Sequence, residues 1–128
     1  MGEKKKILIV DDSQLYVDLV VGAMGEQYDI TSVPSAETGL KALAALTPDL
    51  ILLDIRMPGM GGVEFIRQLA RKTETRAIPI IVVTAYDYNS ITESLLKNEP
   101  AVRFFLTKLS PVDVVIEKVA EVLGKGVK

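Results

Sequence analysis

The stretch ILIVDDS, residues 7–13, decides the fold, because four apolar residues run without a break into two acidic ones. A short apolar run that does not alternate with polar residues is typical of a strand covered on both faces, as in a parallel sheet. Four similar runs follow along the chain. Together they predict five strands, near residues 6–10, 28–33, 50–54, 79–84 and 102–107.

Amphipathic stretches separate these runs, and their apolar residues recur at the spacing of a helix. They predict five helices, at Ser13–Gln27, Ala36–Leu46, Val63–Lys72, Asn89–Lys97 and Pro111–Leu123. In the first helix, the pattern places Leu15, Leu19 and Met24 on the inner face. Ser35 and Ser110 stand where caps are expected, just before the second and the last helix.

Strands that alternate with helices predict a doubly wound α/β domain. Right-handed crossovers bring the carboxyl ends of its strands to one edge of the sheet, and ligands bind at that edge in such folds. A length of 128 residues fits one domain, so we expect a single domain over residues 1–128.

The composition excludes several classes of site. Lys and Arg number 15 against 17 Asp and Glu, and the net charge of −2 argues against direct nucleic-acid binding. Cys and His are absent, which excludes thiolate and imidazole metal ligands and a phosphohistidine on this chain. No apolar stretch approaches the roughly 20 residues of a membrane span, so we expect a cytoplasmic protein that does not contact the membrane.

Polar side chains follow four of the five predicted strands. Asp11 and Asp12 follow the first, Asp54 the third, Thr84 the fourth and Lys108 the fifth. A single aspartate at the start of a loop is more often a helix cap or a turn former than a functional group. If these four strands are neighbours, however, three carboxylates, a hydroxyl and an ammonium meet in one crevice, and that combination is specific.

Such a cluster needs a cation or protons, because two unit charges about 5 Å apart repel by about 3 kcal/mol at an effective dielectric near 20. Oxygen ligands without His or Cys suit a hard divalent ion, and Mg²⁺ is the natural candidate. A hydroxyl, a lysine and a metal could hold the three equatorial oxygens of a phosphoryl group in transit. Asp54 would then be the nucleophile, since carboxylates can form acyl phosphates.

Four motifs resemble, in order and spacing, those of the receiver domain of bacterial two-component response regulators, including the stand-alone chemotaxis type. They are ILIVDDS at 7–13, DIRMPGMGGVE at 54–64, VTA at 83–85 and FFLTK at 104–108. The resemblance implies a flavodoxin-like, five-stranded parallel sheet with strand order 2-1-3-4-5 and five helices. It covers nearly the whole chain.

The resemblance also implies roles for the acidic residues. Asp54 would accept a phosphoryl group from a histidine kinase or a phosphotransfer protein. Asp11 and Asp12 would hold Mg²⁺ together with Asp54, and the backbone carbonyl of Arg56 would complete the protein ligands.

Three further roles come from the same resemblance. Thr84 and Lys108 would hold the phosphoryl oxygens, and Phe105 would be the switch aromatic that turns inward when Thr84 moves. The family usually has proline after this lysine, often in a cis bond, whereas this chain has Leu109. A cis bond before a non-proline residue costs about 2.5–4 kcal/mol, so the loop that aims Lys108 is the least predictable part of the site.

Other classes fit the residues less well. A phosphatase of the haloacid dehalogenase type needs a second aspartate two residues after the first, where this chain has Arg56. In a flavin carrier, Asp11 and Asp12 would repel the flavin phosphate. A receiver that is not phosphorylated and acts only as a protein-interaction module stays open as the alternative function.

The expected output is signalling and not turnover of a substrate. The chain would be a phosphoacceptor domain that assists its own phosphorylation and dephosphorylation. Besides the phosphodonor, its partner would be an output domain or a docking target that the sequence does not identify. In the resembling family, the fourth helix, fifth strand and fifth helix usually form the output face, and this face is also a candidate for dimerisation.

Overall fold

A computed structural model describes residues 4–56, 60–85, 94 and 98–124. The five strands are β1 (Lys6–Val10), β2 (Asp29–Val33), β3 (Leu50–Leu53), β4 (Ile80–Thr84) and β5 (Val102–Thr107). The helices in these ranges are α1 (Gln14–Met24), α2 (Ala36–Leu43), α3 (Gly62–Ala70) and α4 (Val112–Leu123). The fourth predicted helix, Asn89–Lys97, lies outside the described residues apart from Ser94.

All five strands are parallel and form one sheet in the order β2-β1-β3-β4-β5, which confirms the predicted fold class and strand order. The register of β1 and β3 pairs Val10 with Leu53, so the residues that follow them, Asp11 and Asp54, leave the sheet side by side. In the same way, the register of β4 and β5 pairs Thr84 with Thr107. The strand ends therefore bring distant parts of the chain to one edge.

The sheet is covered on both faces, which explains why its central strands are uninterrupted apolar runs. Along β1, Leu8 and Val10 belong to one buried cluster, which includes Phe65 of α3. Ile7 and Ile9 belong to a second buried cluster, on the side of α1 and α4. The edge strand β2 is more polar and more exposed than the central strands.

The inner face of α1 differs from the prediction. Val17, Val20 and Met24 are buried, whereas Leu15 is 84% exposed and Leu19 is 52% exposed. This helix is apolar around most of its circumference, so two different sets of apolar residues have helical spacing. Only packing against the sheet decides between them, and the prediction for Leu15 and Leu19 was wrong.

Two of the four described helices, α1 and α2, begin at a serine whose side chain caps the helix. The side chain of Ser13 accepts a hydrogen bond from the Tyr16 N–H and caps α1. Ser35 caps α2 in a capping box with Thr38, as expected. The predicted cap at Ser110 is wrong, because Pro111 is still extended, with ψ 149°, and is itself the N-cap residue of α4.

The start of α3 packs closely against the segment that follows Asp54. A Cβ atom at Gly62 would lie 2.5 Å from the backbone Cα of Ile55, whereas a Cβ atom at Gly61 would meet nothing within 4 Å. The Gly62 N–H also donates a hydrogen bond to the Ile55 carbonyl, at 3.3 Å. The backbones of α3 and of the loop after β3 are therefore in close contact at position 62, with no room for a side chain.

Within the described ranges, no helix combines the length and the apolar character that crossing a membrane requires.

Candidate functional site

The structure brings together the five polar residues that the sequence singled out at the strand ends. Carboxylate oxygens of Asp11, Asp12 and Asp54 all lie within 4.8 Å of one another. The ammonium of Lys108 lies 2.9 Å from Asp11 Oδ2 and 3.1 Å from Asp54 Oδ2. The hydroxyl of Thr84 lies 2.8 Å from Asp54 Oδ1.

Asp54 lies at the centre of this group. Its Oδ1 accepts hydrogen bonds from the Thr84 hydroxyl and from the Arg56 N–H, at 2.8 and 2.9 Å, while its Oδ2 accepts one from Lys108. Its own N–H donates to the Val10 carbonyl at 2.9 Å. The residue is only 5% exposed, so backbone and side chain are both held in one orientation.

The other two carboxylates differ in their surroundings. Asp11 is 4% exposed and accepts a hydrogen bond from the Ser13 N–H at 2.9 Å, whereas Asp12 is exposed. Burial raises the pKa of Asp11, and the nearby charge of Asp54 acts in the same direction against the opposing contacts from Ser13 and Lys108. The cluster therefore carries more negative charge than its one lysine neutralises, and it opens to solvent at Asp12.

This donor set fits a hard divalent cation. Three carboxylates supply oxygen ligands only, and they come from two neighbouring strand ends whose spacing the sheet fixes. Mg²⁺ is typically held in proteins by one or two carboxylates and retains several waters, which the exposed side at Asp12 would accommodate.

Lys108 reaches its partners without a cis bond, since the described residues contain none. Its N–H donates to the Thr84 carbonyl at 2.8 Å, which ties the start of the loop to the end of β4. The Thr107 hydroxyl accepts a hydrogen bond from the Leu109 N–H at 3.1 Å. Burial opposes ionisation of Lys108, but hydrogen bonds and charge from Asp11, then Asp54, outweigh it and raise the pKa of Lys108.

One residue of the site was missed by sequence reasoning. Tyr16 lies in the first turn of α1, and the ammonium of Lys108 lies 4.9 Å from the centre of its ring. Burial, together with the charges of Asp11 and Asp54, raises the pKa of Tyr16 to about 12. A large aromatic residue four positions after Asp12, just inside a helix that begins at the acidic loop, is the signal that could have identified it.

Phe105 lies on β5 opposite Val82 of β4, two residues before Thr84. It is half-buried and packs against the core cluster that contains Phe65. Arg56 is exposed, and its N–H contacts Asp54; its carbonyl as a metal ligand stays a prediction. Part of the segment after it, residues 57–59, lies outside the described residues.

The sequence of this chain is similar to those of several known proteins. The family model described as "Response regulator receiver domain" matches residues 7–120. The chain is 36% identical over 112 residues to response regulator PleD of Caulobacter vibrioides, covering 87% of this chain and 24% of PleD. It is 34% identical over 109 residues to protein PilH of Pseudomonas aeruginosa, covering 84% of this chain and 87% of PilH.

A solved structure supports the same likeness. The signal receiver domain of a signal transduction histidine kinase from Syntrophus aciditrophicus has a TM-score of 0.83 and 28% identity. The match covers 95% of this chain and 92% of that one. The chain thus spans about a quarter of PleD but most of PilH and of the Syntrophus domain.

Proposed function

The chain belongs to the response regulator receiver family, and from that premise we propose that it is a Mg²⁺-dependent, phosphoryl-accepting signalling switch. The observation that carries the proposal is the surroundings of Asp54. A buried carboxylate there contacts a hydroxyl and an ammonium and lies beside two further carboxylates. The proposal treats residues 1–128 as one receiver domain.

In the proposed reaction, an oxygen of Asp54 attacks the phosphorus of a phosphohistidine on a histidine kinase or phosphotransfer protein. A phosphorus–oxygen bond forms, the phosphorus–nitrogen bond breaks, and the imidazole leaves with the electron pair of that bond. The Arg56 N–H, 2.9 Å from Asp54 Oδ1, would keep the carboxylate oriented during the attack.

Thr84 and Lys108 would hold the transferred group. Both already contact Asp54, through the hydroxyl at 2.8 Å and the ammonium at 3.1 Å. Each would turn from a carboxylate oxygen to a phosphoryl oxygen, where charge builds up during transfer. This exchange of partners needs no large movement of the backbone, because both residues stand at strand ends.

Asp11, Asp12 and Asp54 are the residues that would hold Mg²⁺, and we add the backbone carbonyl of Arg56 on the family pattern alone. When bound, the ion would offset negative charge on the phosphoryl oxygens.

The signal would pass through Thr84 and Phe105. Thr84 is fully buried, so its turn toward a phosphoryl oxygen would leave space in the packed interior beside β5. Phe105 would turn inward to fill that space. Phosphorylation can shift this balance only by its differential interaction with the two states, so both arrangements must already be populated.

The output partner is a docking target or an attached effector domain. The proposed output surface is the face that includes β5 and α4, the last of the five predicted helices. Dimerisation through this face is one form that the output could take. The relatives PleD and PilH share the matched region but differ in how much of their length it represents.

Labelling with acetyl phosphate, read as the mass of the intact protein, tests the proposal. We expect one phosphoryl group on the wild type with Mg²⁺, and none after chelation of the metal or in Asp54→Asn. Asp29→Asn is the matched control, because it makes the same chemical change at an exposed residue away from the site. Asp29 is the first residue of β2 and lies at the amino ends of the strands, whereas the site lies at their carboxyl ends. This control should label like the wild type.

Two outcomes would contradict the proposal. A wild type that gains no mass would favour the interaction module that is not phosphorylated. Equal labelling of Asp54→Asn and wild type would show that another group is the acceptor.

A further inference from the structure

Lys108 has two kinds of partner. Its ammonium contacts the carboxylates of Asp11 and Asp54, and it also lies 4.9 Å from the centre of the Tyr16 ring. A cation within about 6 Å of an aromatic ring centre is attracted to the face of the ring. Within the described part of the chain, Tyr16 is thus the one partner of this ammonium that is not a carboxylate.

The two kinds of partner respond differently to a divalent cation. Asp11 and Asp54 belong to the acidic group that fits the metal, so a bound ion would compete with Lys108 for their oxygens. The ring of Tyr16 is neutral, and a hard cation prefers oxygen ligands over it. Its attraction for the ammonium would therefore remain when the carboxylates are engaged.

Within the ranges that the structure describes, the Tyr16 side chain has no second polar contact that would explain its position. Its hydroxyl is buried and has no hydrogen-bond partner among the described residues, and a buried polar group without a partner costs free energy. The ring face over Lys108 is then the polar interaction that this side chain makes. An aliphatic residue would fill the space without burying a hydroxyl.

The loop after Lys108 gives the lysine little support of its own. The backbone is tied to β4 through the Thr84 carbonyl, but the next residue, Leu109, is 71% exposed and packs against little. The direction of the long side chain therefore depends on what its ammonium contacts.

We propose that Tyr16 is a positioning residue, whose ring holds the Lys108 ammonium at the crevice while a metal occupies the carboxylates. The proposal rests on the proposed function for the reaction that it assists, but the contact itself can be measured without any phosphoryl transfer. In this proposal Tyr16 acts on the reaction through its contact with Lys108.

The first test is nuclear magnetic resonance of the Lys108 ε-methylene protons, assigned by comparison with Lys108→Arg. Protons over a ring face are shifted upfield. We expect this shift in the wild type and in Tyr16→Phe, with and without saturating Mg²⁺, and its loss in Tyr16→Leu. Loss of the shift in the wild type when Mg²⁺ is added would overturn the proposal.

The second test is the rate of labelling by acetyl phosphate at saturating Mg²⁺. We expect Tyr16→Leu to lower the rate about 3- to 30-fold, the range of a ring–cation contact, and Tyr16→Phe to retain most of it. In a Lys108→Ala background, Tyr16→Leu should cause no further loss, because the ring acts through the lysine. The same fold-loss in both backgrounds would indicate a structural role and overturn the proposal.

Failure of the proposed function would be distinguishable from failure of this inference. If the wild type takes no phosphoryl group, the proposed function falls, while the proton shifts in Mg²⁺ still decide whether the ring holds the ammonium. If the wild type and Tyr16→Leu label at the same rate, the role of Tyr16 falls and the proposed function stands. Tyr16→Met, which keeps a long apolar side chain, replaces the leucine variant if that one does not fold.

Discussion

At the scale of single residues, the balance of charge at the sheet edge governs the properties of the site. Three carboxylates face one ammonium, and Asp11 is buried among them. The raised pKa of Asp11 means that its neutral form is better tolerated in the folded chain than its charged form. Keeping Asp11 charged at neutral pH should therefore cost the fold some stability.

Replacing Asp11 by Asn should therefore stabilise the fold without divalent cations. Because the pKa of Asp11 is raised on folding, its favourable contribution is present below the unfolded pKa and is lost as pH rises through the folded pKa. We expect Asp11→Asn to unfold with a free energy roughly 0.5–2 kcal/mol higher at pH 7.5, and the gain to shrink as pH falls toward 4. Urea unfolding of both proteins at several pH values measures this. A variant less stable than the wild type at pH 7.5 would mean that pairing with Lys108 dominates.

The raised pKa of Tyr16 leads to a second prediction, about stability at alkaline pH. Its pKa is about 12 in the folded chain against 10.0 ordinarily, so its contribution to stability is complete below pH 10 and is lost as pH rises from 10 to 12. The wild type should lose up to roughly 2 kcal/mol more than Tyr16→Phe over that window. Unfolding free energies at pH 9 and 11.5 give the comparison, in which the other tyrosines cancel. Parallel losses in the two proteins would contradict the prediction.

At the scale of elements, the sequence predicts the strands better than the helix faces. The central strands β1, β3 and β4 contain uninterrupted apolar runs, which have few competing interpretations in a sheet covered on both sides. In α1 the apolar residues surround most of the helix, so periodicity cannot distinguish the exposed Leu15 from the buried Val17. The cap predicted at Ser110 was wrong because it assumed that Pro111 occupies the first helical position, where proline is common, whereas α4 begins one residue later.

Most of the candidate site was also predictable from the sequence, but one of its residues was not. Asp11, Asp54 and Lys108 were found because each directly follows a strand, and a parallel sheet gathers such residues at one edge. Tyr16 was not found, because its role depends on where the side chain of α1 points relative to β5. That information is tertiary and has no periodic signal in the sequence.

The contact between α3 and the loop after β3 leads to a prediction about two adjacent glycines. A Cβ atom at position 62 would lie 2.5 Å from the Ile55 Cα, which cannot rotate away. We expect Gly62→Ala to cost roughly 1–3 kcal/mol of stability, despite the better helix propensity of alanine. Chemical unfolding provides the measurement.

Gly61→Ala is the matched control for that prediction, because a Cβ atom there meets nothing within 4 Å. It replaces only a glycine N-cap and should cost less than about 1 kcal/mol. Equal losses for the two variants would show that the backbone approach at Ile55 does not limit what position 62 can hold.

At the scale of the whole molecule, metal binding should be linked to folding. The carboxylates of Asp11, Asp12 and Asp54 are close together only in the folded chain. A cation that binds them would therefore stabilise the fold by mass action, by about 2.7 kcal/mol at 100 times its Kd. Mg²⁺ should raise the Tm of the wild type in proportion to the logarithm of its concentration. Differential scanning calorimetry over a series of Mg²⁺ concentrations measures the effect.

Asp12→Asn should weaken that response and leave the metal-free Tm almost unchanged, because Asp12 is exposed and its loss removes a ligand without disturbing the core. Asp29→Asn, at the opposite edge, should respond to Mg²⁺ like the wild type. An undiminished response in Asp12→Asn would place the cation elsewhere.

The ion pair between Asp11 and Lys108 joins residues 97 positions apart in the chain. A growing polypeptide that has been synthesised only through β4 would contain Asp11, Asp12 and Asp54. It would lack Lys108, both its ammonium and the backbone hydrogen bond to the Thr84 carbonyl. Under the proposed function, the site could accept a phosphoryl group only after the fifth strand had been synthesised and had paired with β4. A chain truncated before β5 would lack the lysine that contacts both Asp11 and Asp54.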